Sequence, residues 1–393
     1  MKLAYVYFND LNKNSANVNQ TFNMVSSFTK YSEVYFLSGY IKKSDLKRRL
    51  DFFGLSHNFY HVRLLTLLFT KNKFIEFALR GIYCIQSLVV LNYLNVDYIY
   101  TRDFSFIYFI SNLPCFLRPK QKIIYEPHTI YHKSSSKVSL AHERKALKVP
   151  DLFIPISNGI KIDLIQNLGI KTNKIYVAAD GVNMDLFNNL PEKLFLREKH
   201  SIKGADSIII YAGSFKKWKG VDFLIKAYAT ISTMCDDTKL ILVGGSLGDI
   251  ARIEQLIDDL HINKKNIILK GFVSQSEVVE LLKLSDMGVI PNAKTAIGAK
   301  YTSPLKLFEY MACGLPIVAS NLPAMREILD ETNAVFFEAE NSEDLANQIY
   351  CLLNDIEKKV DLQHNNLTKI NNFTWDARVK KILKWINSSN NHL

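Results

Sequence analysis

Short apolar runs alternate along this chain with longer segments in which apolar residues recur every three or four positions. The runs at 2–8, 34–37 and 208–213 predict buried strands, because they contain few polar residues and end at loop-forming asparagine, serine or glycine. Segments 20–30 and 221–231 show the helical period instead. Strands that alternate with helices at this spacing indicate an α/β protein with parallel sheets.

The alternation is interrupted at residues 188–191, where the sequence NNLP favours a linker. At 393 residues the chain is longer than one typical hydrophobic core supports, so two α/β domains are expected. We place an N-terminal domain over 1–188 and a C-terminal domain over 189–373.

The stretch at 303–320, SPLKLFEYMACGLPIVAS, predicts a short helix that runs into a buried strand. Ser303 is a favourable N-cap, and Pro304 suits the first helical position. The amino end of such a helix attracts anions, and a phosphate there would offset the unfavourable position of Lys306 in the first turn. Glu309, one turn later, can accept hydrogen bonds from a ribose. An ordinary capped helix fits the same pattern.

Two further strand ends in the C-terminal half carry residues suited to a ligand. The strand at 208–213 ends in Gly213 and Ser214, and a glycine lets a ligand approach the backbone. Lys219 follows in a basic loop just before the helix at 221–231, and another strand ends at Gly244. A solvated basic loop is the alternative interpretation.

In the N-terminal half, polar residues follow three predicted strands. Asn12 lies in the loop after the first strand, Arg102 follows the strand near 97–101, and Glu126 and His128 follow the strand near 123–125. Ligands of open α/β sheets bind at this carboxyl edge, and histidine exchanges protons near neutral pH. A histidine with a structural role is the alternative. No G-x-G-x-x-G follows the first strand, so a classical dinucleotide site is not predicted.

The composition restricts the class of protein and its expected cellular location. With 48% hydrophobic and 22% charged residues the chain is globular rather than disordered. Its five cysteines show no C-x-x-C spacing, which indicates reduced thiols and neither a disulfide framework nor a zinc site. The apolar run at the N-terminus is too short for a signal peptide. We therefore expect a cytoplasmic location.

The net charge of +11 is concentrated in one region. Residues 40–80 contain nine basic and three acidic residues, a balance of 9 − 3 = +6, and residues 81–96 carry no charge. This mixture of basic and apolar residues favours peripheral attachment to an anionic membrane surface over a nucleic-acid partner. A solvated basic face, with the apolar segment packed in the core, remains the alternative.

From about residue 97 to 386, the chain resembles the retaining family-four glycosyltransferases of GT-B fold. SPLKLFEYMACGLPIVAS is similar to the donor-site helix of that family, GSFKKWKG at 213–220 to its phosphate-binding loop, and YEPH at 125–128 to its Y-E-x-H element. WDAR at 375–378 resembles the start of its last helix. The resemblance implies two Rossmann-like, doubly wound domains that face each other across a cleft. It also implies that a final helix, 374–390, packs back on the N-terminal domain.

The resemblance also implies roles for individual residues. Lys219, Lys306 and the helix terminus would hold the diphosphate of a nucleotide-sugar, and Glu309 would hold the ribose. The expected donor-binding residues are Gly213, Ser214, Lys219, Gly244, Phe272, Val273, Ser303, Pro304, Leu305, Lys306 and Glu309. The expected acceptor-side residues are Asn12, Arg102, Glu126 and His128, and the expected catalytic residues are His128, Lys219 and Glu309.

The implied activity is that of a retaining, hexosyltransferase-type glycosyltransferase (EC 2.4) in cell-surface polysaccharide synthesis, acting on a glycan or lipid-linked acceptor. No D-x-D sequence occurs, so we expect no metal, and no cofactor apart from the nucleotide-sugar substrate. Two positions depart from the family pattern: Tyr301 replaces a glutamate, and Ser214 replaces an arginine. They motivate an alternative, a non-catalytic GT-B subunit that binds a nucleotide-sugar and partners another transferase. An epimerase or a phosphorylase of the same fold is a third hypothesis.

Overall fold

The computed structural model describes residues 1–13, 15–39, 41–56, 58–64, 73–134, 138–202 and 206–390. The chain divides into two compact units, the first of Met1–Ala179 with Trp375–Leu393 and the second of Asp180–Thr374. The division falls between 179 and 180, earlier than the expected 188/189. The backbone explains this, because the Asp180 N–H donates to Ser303 Oγ and the Val182 N–H donates to the Phe373 carbonyl, all within the second unit.

Within its described residues, the first unit has a six-stranded parallel sheet in the order β3–β2–β1–β4–β5–β6. Its strands are β1 (Lys2–Tyr7), β2 (Glu33–Ser38), β3 (Tyr60–Arg63), β4 (Tyr98–Thr101), β5 (Lys122–Tyr125) and β6 (Leu152–Phe153). Its helices up to Ala179 are α1 (Ala16–Phe28), α2 (Lys43–Phe52), α3 (Lys73–Leu94), α4 (Phe104–Ser111), α5 (Tyr131–Ser134), α6 (Leu140–Ala146) and α7 (Asn158–Gln166). This is the doubly wound strand order, and its switch point lies between β1 and β4.

The second unit repeats this topology, with its described strands in the order β12–β11–β10–β7–β8–β9. Its strands are β7 (Ser207–Ala212), β8 (Thr238–Val243), β9 (Ile267–Lys270), β10 (Met287–Ile290), β11 (Ile317–Ser320) and β12 (Val335–Phe337). Its helices are α8 (Lys193–Lys199), α9 (Val221–Met234), α10 (Leu247–Asp259), α11 (Gln275–Leu284), α12 (Ala296–Ala299), α13 (Leu305–Ala312), α14 (Pro323–Arg326), α15 (Ser342–Asn354) and α16 (Ile356–Lys369). The switch point lies between β7 and β10.

The last helix, α17 (Trp375–Asn390), belongs to the first unit. Near its start, Asp376 accepts a hydrogen bond from the Tyr31 hydroxyl at 2.6 Å. Further along, Trp385 stacks on Tyr176 with ring centroids 5.5 Å apart. The helix is therefore fixed to the first unit at both ends.

Helix α3 leaves part of its apolar surface in solvent. Ile82, Ile85, Val89 and Tyr93 follow one another at helical spacing and are 46%, 56%, 65% and 88% exposed. Residues three or four positions apart lie on one helix face, so these four side chains form a continuous stripe, which we call the apolar stripe. None of the described helices is long and apolar enough to cross a membrane.

The basic residues of the 40–80 region differ in their exposure, and Arg80 is half-buried and donates to Ser105 Oγ at 2.9 Å. Those that are exposed are Lys42, Lys43, Lys47, Arg48 and Arg63. Arg49 is buried and donates hydrogen bonds to the carbonyls of Leu11 and Lys13, so it fixes the loop after β1 and does not face solvent. Lys71 and the side chain of Lys73 lie outside the described residues.

Helix α13 is attached to the second sheet through Tyr310. Its hydroxyl accepts a hydrogen bond from the Ala212 N–H at the end of β7 (2.9 Å), and its ring packs against Gly288 of β10. A Cβ atom at Gly288 would lie 2.4 Å from that ring. The position of α13 relative to the ends of β7 and β10 therefore depends on a large residue packed against a glycine.

We predict that Gly288→Ala destabilises the protein by ~1–3 kcal/mol, because the added methyl group has no space beside Tyr310. Urea unfolding of the purified chain measures the change. Gly248→Ala, within α10, is the matched control, because its methyl group would meet no atom within 4 Å. The control is expected to raise stability slightly, since alanine favours helix more than glycine does. Equal shifts for the two variants would contradict this packing argument.

Candidate functional site

The backbone is open where β7 and β8 end. Gly213 and Gly244 adopt φ angles of +140° and +112°, which favour glycine. The Gly213 N–H donates to the Val243 carbonyl, and a Cβ atom at Gly244 would lie 2.3 Å from the Gly213 carbonyl oxygen. The two strand ends therefore meet without side chains between them, at the carboxyl edge beside the switch point.

Lys306 supplies a buried cation at this edge. The residue is 5% exposed, and its Nζ atom lies 3.2 Å from the centroid of the Tyr211 ring. Within the described part of the chain, Nζ has no hydrogen-bond partner. Burial lowers the pKa of Lys306 well below its usual value, and the charge of Lys219 acts in the same direction. A buried ammonium group without a hydrogen-bond partner is costly, and a bound anion would remove that cost.

Lys219 closes the short 3-10 turn Lys217–Lys219, directly before α9. Its Nζ lies 3.9 Å from the Trp218 ring centroid. Burial lowers the pKa of Lys219 to about 7, with a further contribution from Lys216. The turn is held tightly, since a Cβ atom at Gly220 would overlap the carbonyl oxygen of Pro291. The charge of Lys219 contributes to the lowered pKa of Lys306, so the charges of the two lysines interact.

Helix α13 begins one residue later than the sequence predicts. Pro304 is its N-cap and Leu305 its first residue, whereas Ser303 was expected to cap. Instead the Ser303 hydroxyl accepts the Asp180 N–H at 2.8 Å, a partner 123 residues away. No side chain caps the helix, so its first N–H groups retain the capacity to bind an anion.

Glu309 is half-buried on the same helix and accepts a hydrogen bond from Gln275 Nε2 at 2.7 Å. Burial raises the pKa of Glu309. Gln275, the first residue of α11, was missed by the sequence analysis. Its signal in the sequence is its position directly after the loop that follows β9, at the same edge of the sheet.

The remaining donor-side residues occupy the surrounding turns. Ser214 is half-buried, and its carbonyl accepts the Tyr211 hydroxyl at 2.7 Å. Phe272 is 56% exposed and Val273 is half-buried, both between β9 and α11. Tyr301 is 3% exposed, so the position that replaces the family's glutamate is occupied by a buried ring.

The predicted acceptor-side residues lie at the carboxyl edge of the first sheet. Asn12 is exposed in the loop after β1, and its N–H donates to Asp10 Oδ1. Arg102 is half-buried after β4 and donates to Asn17 Oδ1 at 3.0 Å. In the described residues, no hydrogen bond joins Asn12 or Arg102 to His128.

Glu126 and His128 are in direct contact, with Glu126 Oε1 and His128 Nε2 2.7 Å apart. The glutamate is fully buried, so the structure places it beneath His128 rather than at a surface open to an acceptor. Although burial opposes ionisation, the nearby Arg378 charge and the hydrogen bond from His128 hold the pKa of Glu126 well below its usual value. Burial lowers the pKa of His128 to about 4, and the charge of Arg102 contributes. At pH 7 the pair is therefore a carboxylate and a neutral imidazole.

A family model described as glycosyl transferases group 1 matches residues 192–369, all within the second unit. The match spans α8 to α16 and includes every predicted donor-side residue. The second unit matches the group 1 glycosyltransferase family over most of its length, and the two doubly wound units have the GT-B fold.

One curated relative of this chain is the N-acetyl-alpha-D-glucosaminyl L-malate synthase of Bacillus anthracis, 29% identical over 44% of each chain. Another is a D-inositol 3-phosphate glycosyltransferase of Xylanimonas cellulosilytica, 22% identical over 61% of this chain and 58% of that one. The chain spans about half the length of the curated relatives it matches.

One solved structure covers this chain throughout. The sucrose-phosphate synthase of Thermosynechococcus elongatus superimposes with a TM-score of 0.80 at 16% identity, over 100% of both chains. At this level of identity, the likeness establishes the fold alone.

The unpaired state of Lys306 leads to a stability prediction. Lys306→Met should stabilise the ligand-free protein by ~1–3 kcal/mol near pH 6, because it removes a buried cation without a hydrogen-bond partner. The pKa of Lys306 is lower in the folded than in the unfolded chain, so the unfolded chain binds more protons and the cost fades as pH rises toward 10.

Urea unfolding at pH 6, 7.5 and 9 tests this dependence. Lys226→Met on α9 is the control, because Lys226 is exposed and its replacement should change stability little at any pH. A Lys306→Met protein less stable than wild type at all three pH values would contradict the account.

Proposed function

We propose that this chain transfers a sugar from a nucleotide-sugar donor to a glycan or lipid-linked acceptor. The observation that carries the proposal is the ammonium group of Lys306, which has no hydrogen-bond partner among the described residues and lies near Lys219 in the first turn of the uncapped helix α13. A diphosphate would satisfy both lysines and the first N–H groups of the helix together. The match of the second unit to the group 1 family supports this assignment, as does the similarity to Anabaena HepE, solved with UDP-glucose (TM-score 0.78, 17% identity, 99% and 100% coverage).

In this proposal the second unit stabilises the leaving group. Negative charge develops on the diphosphate as the sugar departs, and Lys219, Lys306 and the helix dipole are already arranged to receive it. Each such preorganised donor is worth roughly 3 kcal/mol of barrier. We propose that transfer proceeds with retention and without a metal ion, and we assign no covalent nucleophile.

Other residues of the second unit would fix the rest of the donor. Glu309, oriented by Gln275, would accept hydrogen bonds from the ribose. Phe272 and Val273 would flank the base. We assign His128 of the first unit to the sugar and acceptor. We also propose that the reaction belongs to cell-surface polysaccharide synthesis.

A non-catalytic subunit is the second candidate function. Tyr301, a buried ring at the position of the family's glutamate, favours it, because no carboxylate is available there to contact the sugar. Such a subunit would bind the donor and transfer nothing. A donor that binds and is neither hydrolysed nor transferred to any acceptor would support this candidate.

The donor site generates a binding prediction. One among UDP-, GDP-, ADP-, dTDP- and CMP-sugars should raise the melting temperature of the wild-type protein. At 100 times the dissociation constant, a ligand stabilises by about 2.7 kcal/mol. Glu309→Ala should fold normally and lose most of this shift, because the ribose contact is removed.

Glu254→Ala is the matched control, because Glu254 is exposed on α10 and should leave the shift unchanged. An unchanged shift in Glu309→Ala would show that the ribose is placed wrongly. The absence of a shift with any donor would contradict a preformed nucleotide-sugar site.

We also propose that the first unit attaches peripherally to the inner face of the cytoplasmic membrane. The apolar stripe on α3 supports this, because its four side chains are exposed and could enter the lipid interface. The exposed basic residues of the 42–63 segment would contribute electrostatic attraction to acidic head groups. A lipid-linked acceptor would be presented at the same surface.

Co-sedimentation with phosphatidylglycerol-containing vesicles tests this attachment. The wild-type chain should bind at low salt and less at high salt, since surface charge is screened. Ile85→Asp with Val89→Asp should reduce binding severalfold. Leu247→Asp with Ile356→Asp is the control, because both residues are exposed and lie in the second unit. Failure of the wild type to bind at low salt would rule out the attachment.

A further inference from the structure

Four polar groups converge on the buried carboxylate of Glu126. Gln20 Nε2 donates to Oε1 at 2.6 Å, and His128 Nε2 lies 2.7 Å from the same oxygen. Arg378 donates from a terminal guanidinium nitrogen to Oε2 at 3.0 Å, and the Tyr100 hydroxyl also bonds Oε2. Three of these partners come from α1, β4 and α17, so the carboxylate joins distant parts of the first unit.

The charge of Glu126 determines which nitrogen of His128 carries the proton. An ionised carboxylate only accepts hydrogen bonds, so a neutral imidazole 2.7 Å away donates to it from Nε2. Gln20 Nε2 also lies 3.1 Å from His128 Nε2, and because it donates to the same carboxylate oxygen, the two nitrogens are neighbouring donors to one acceptor. The other nitrogen of His128, Nδ1, is then a hydrogen-bond acceptor. A protonated Glu126 could instead donate to Nε2 and favour the opposite tautomer.

Arg378 is the group that keeps Glu126 charged. It is 3% exposed and donates to the carbonyls of Ala179 at 2.9 Å and Ala178 at 3.1 Å, as well as to Glu126. Its orientation is therefore fixed independently of Glu126. A buried carboxylate without a counter-charge takes up a proton, so the arginine determines the state of the pair.

We infer that Arg378 and Glu126 are positioning residues for His128, which they hold as the Nε2–H tautomer with Nδ1 presented as an acceptor. The inference rests on the proposed function for one point, that His128 faces the sugar and acceptor. In that role Nδ1 accepts a hydrogen bond from a substrate hydroxyl. The only local sequence signal of Arg378 is its place in the WDAR segment at the start of the last helix.

The charged and polar groups that face the pair are few, which makes the state of His128 measurable. Arg102, after β4, and Arg378, on α17, both disfavour an imidazolium, whereas Glu126 favours it. Tyr100 and Gln20 contribute hydrogen bonds to Glu126 without charge. His128 should therefore remain neutral between pH 5.5 and 8.

The test is NMR of the full chain labelled with ¹⁵N at its histidine side chains. His128→Gln identifies the resonances of His128 among the nine histidines. The wild type should show the Nε2–H tautomer, unchanged from pH 5.5 to 8. An Nδ1–H tautomer, or an even mixture of the two, would overturn the inference.

Glu126→Gln makes the test specific. Arg378 would attract the amide oxygen, so the amide NH₂ group would face His128 and donate to Nε2. His128 should then change to the Nδ1–H tautomer. Removing the arginine as well, in Glu126→Gln with Arg378→Met, should free the amide to rotate and restore part of the Nε2–H form.

Lys384→Gln is the control for charge on α17, because it removes an exposed cation from the same helix and should leave the tautomer as in the wild type. Retention of the Nε2–H tautomer in Glu126→Gln would show that the carboxylate does not set it. An unchanged tautomer population when Arg378→Met is added to Glu126→Gln would show that the arginine does not position the pair.

These readouts need no turnover, so they separate this inference from the proposed function. If the transferase activity is present, Glu126→Gln should lower kcat by about tenfold or more, because Nδ1 then carries the proton and can no longer accept a hydrogen bond from the substrate. The KM for the donor should change little, since the donor residues lie in the second unit. A rise in the donor KM as large as the fall in kcat would indicate a general structural effect instead.

Discussion

The chemistry of this protein depends on one constraint of doubly wound sheets. Their strands are covered by helices on both faces, so their interior positions must be apolar, as in β7 and β8. Polar groups can gather only where strands end and loops begin. In each unit, the candidate residues accordingly lie at the carboxyl edge, beside or near the switch point.

The two units differ in how a buried charge at that edge is compensated. In the second unit, Lys306 is buried without a hydrogen-bond partner in the described chain, and Lys219 is close enough to oppose it. In the first unit, Glu126 is buried with its lone pairs occupied and a full counter-charge from Arg378. A buried lysine without a hydrogen-bond partner favours the binding of an anionic ligand. A buried carboxylate whose hydrogen bonds are complete instead fixes the orientation of His128.

Features that depend on neighbouring residues could be predicted from the sequence. The helix and strand within 303–320 follow from apolar spacing and a glycine stop, and the structure has them as α13 and β11. Features that depend on distant residues could not. Ser303 fails to cap α13 because its hydroxyl bonds Asp180, and Arg49 is buried because two loop carbonyls need a donor.

The same limit applies to the candidate site. Lys219, Lys306 and Glu309 were identifiable because each belongs to a local motif. Gln275 and Arg378 were not identified as site residues, since their roles come from contacts with side chains 34 and 252 residues away. Periodicity and spacing carry no information on such pairs.

The origin of Arg378 in the last helix has a consequence for biosynthesis. Glu126 is synthesised before the second unit, whereas its counter-charge, Arg378, is synthesised after it. Until Arg378 is synthesised, the carboxylate of Glu126 lacks its counter-charge. The first unit therefore reaches its native state only after the second unit has been translated, although most of the first unit is synthesised before it.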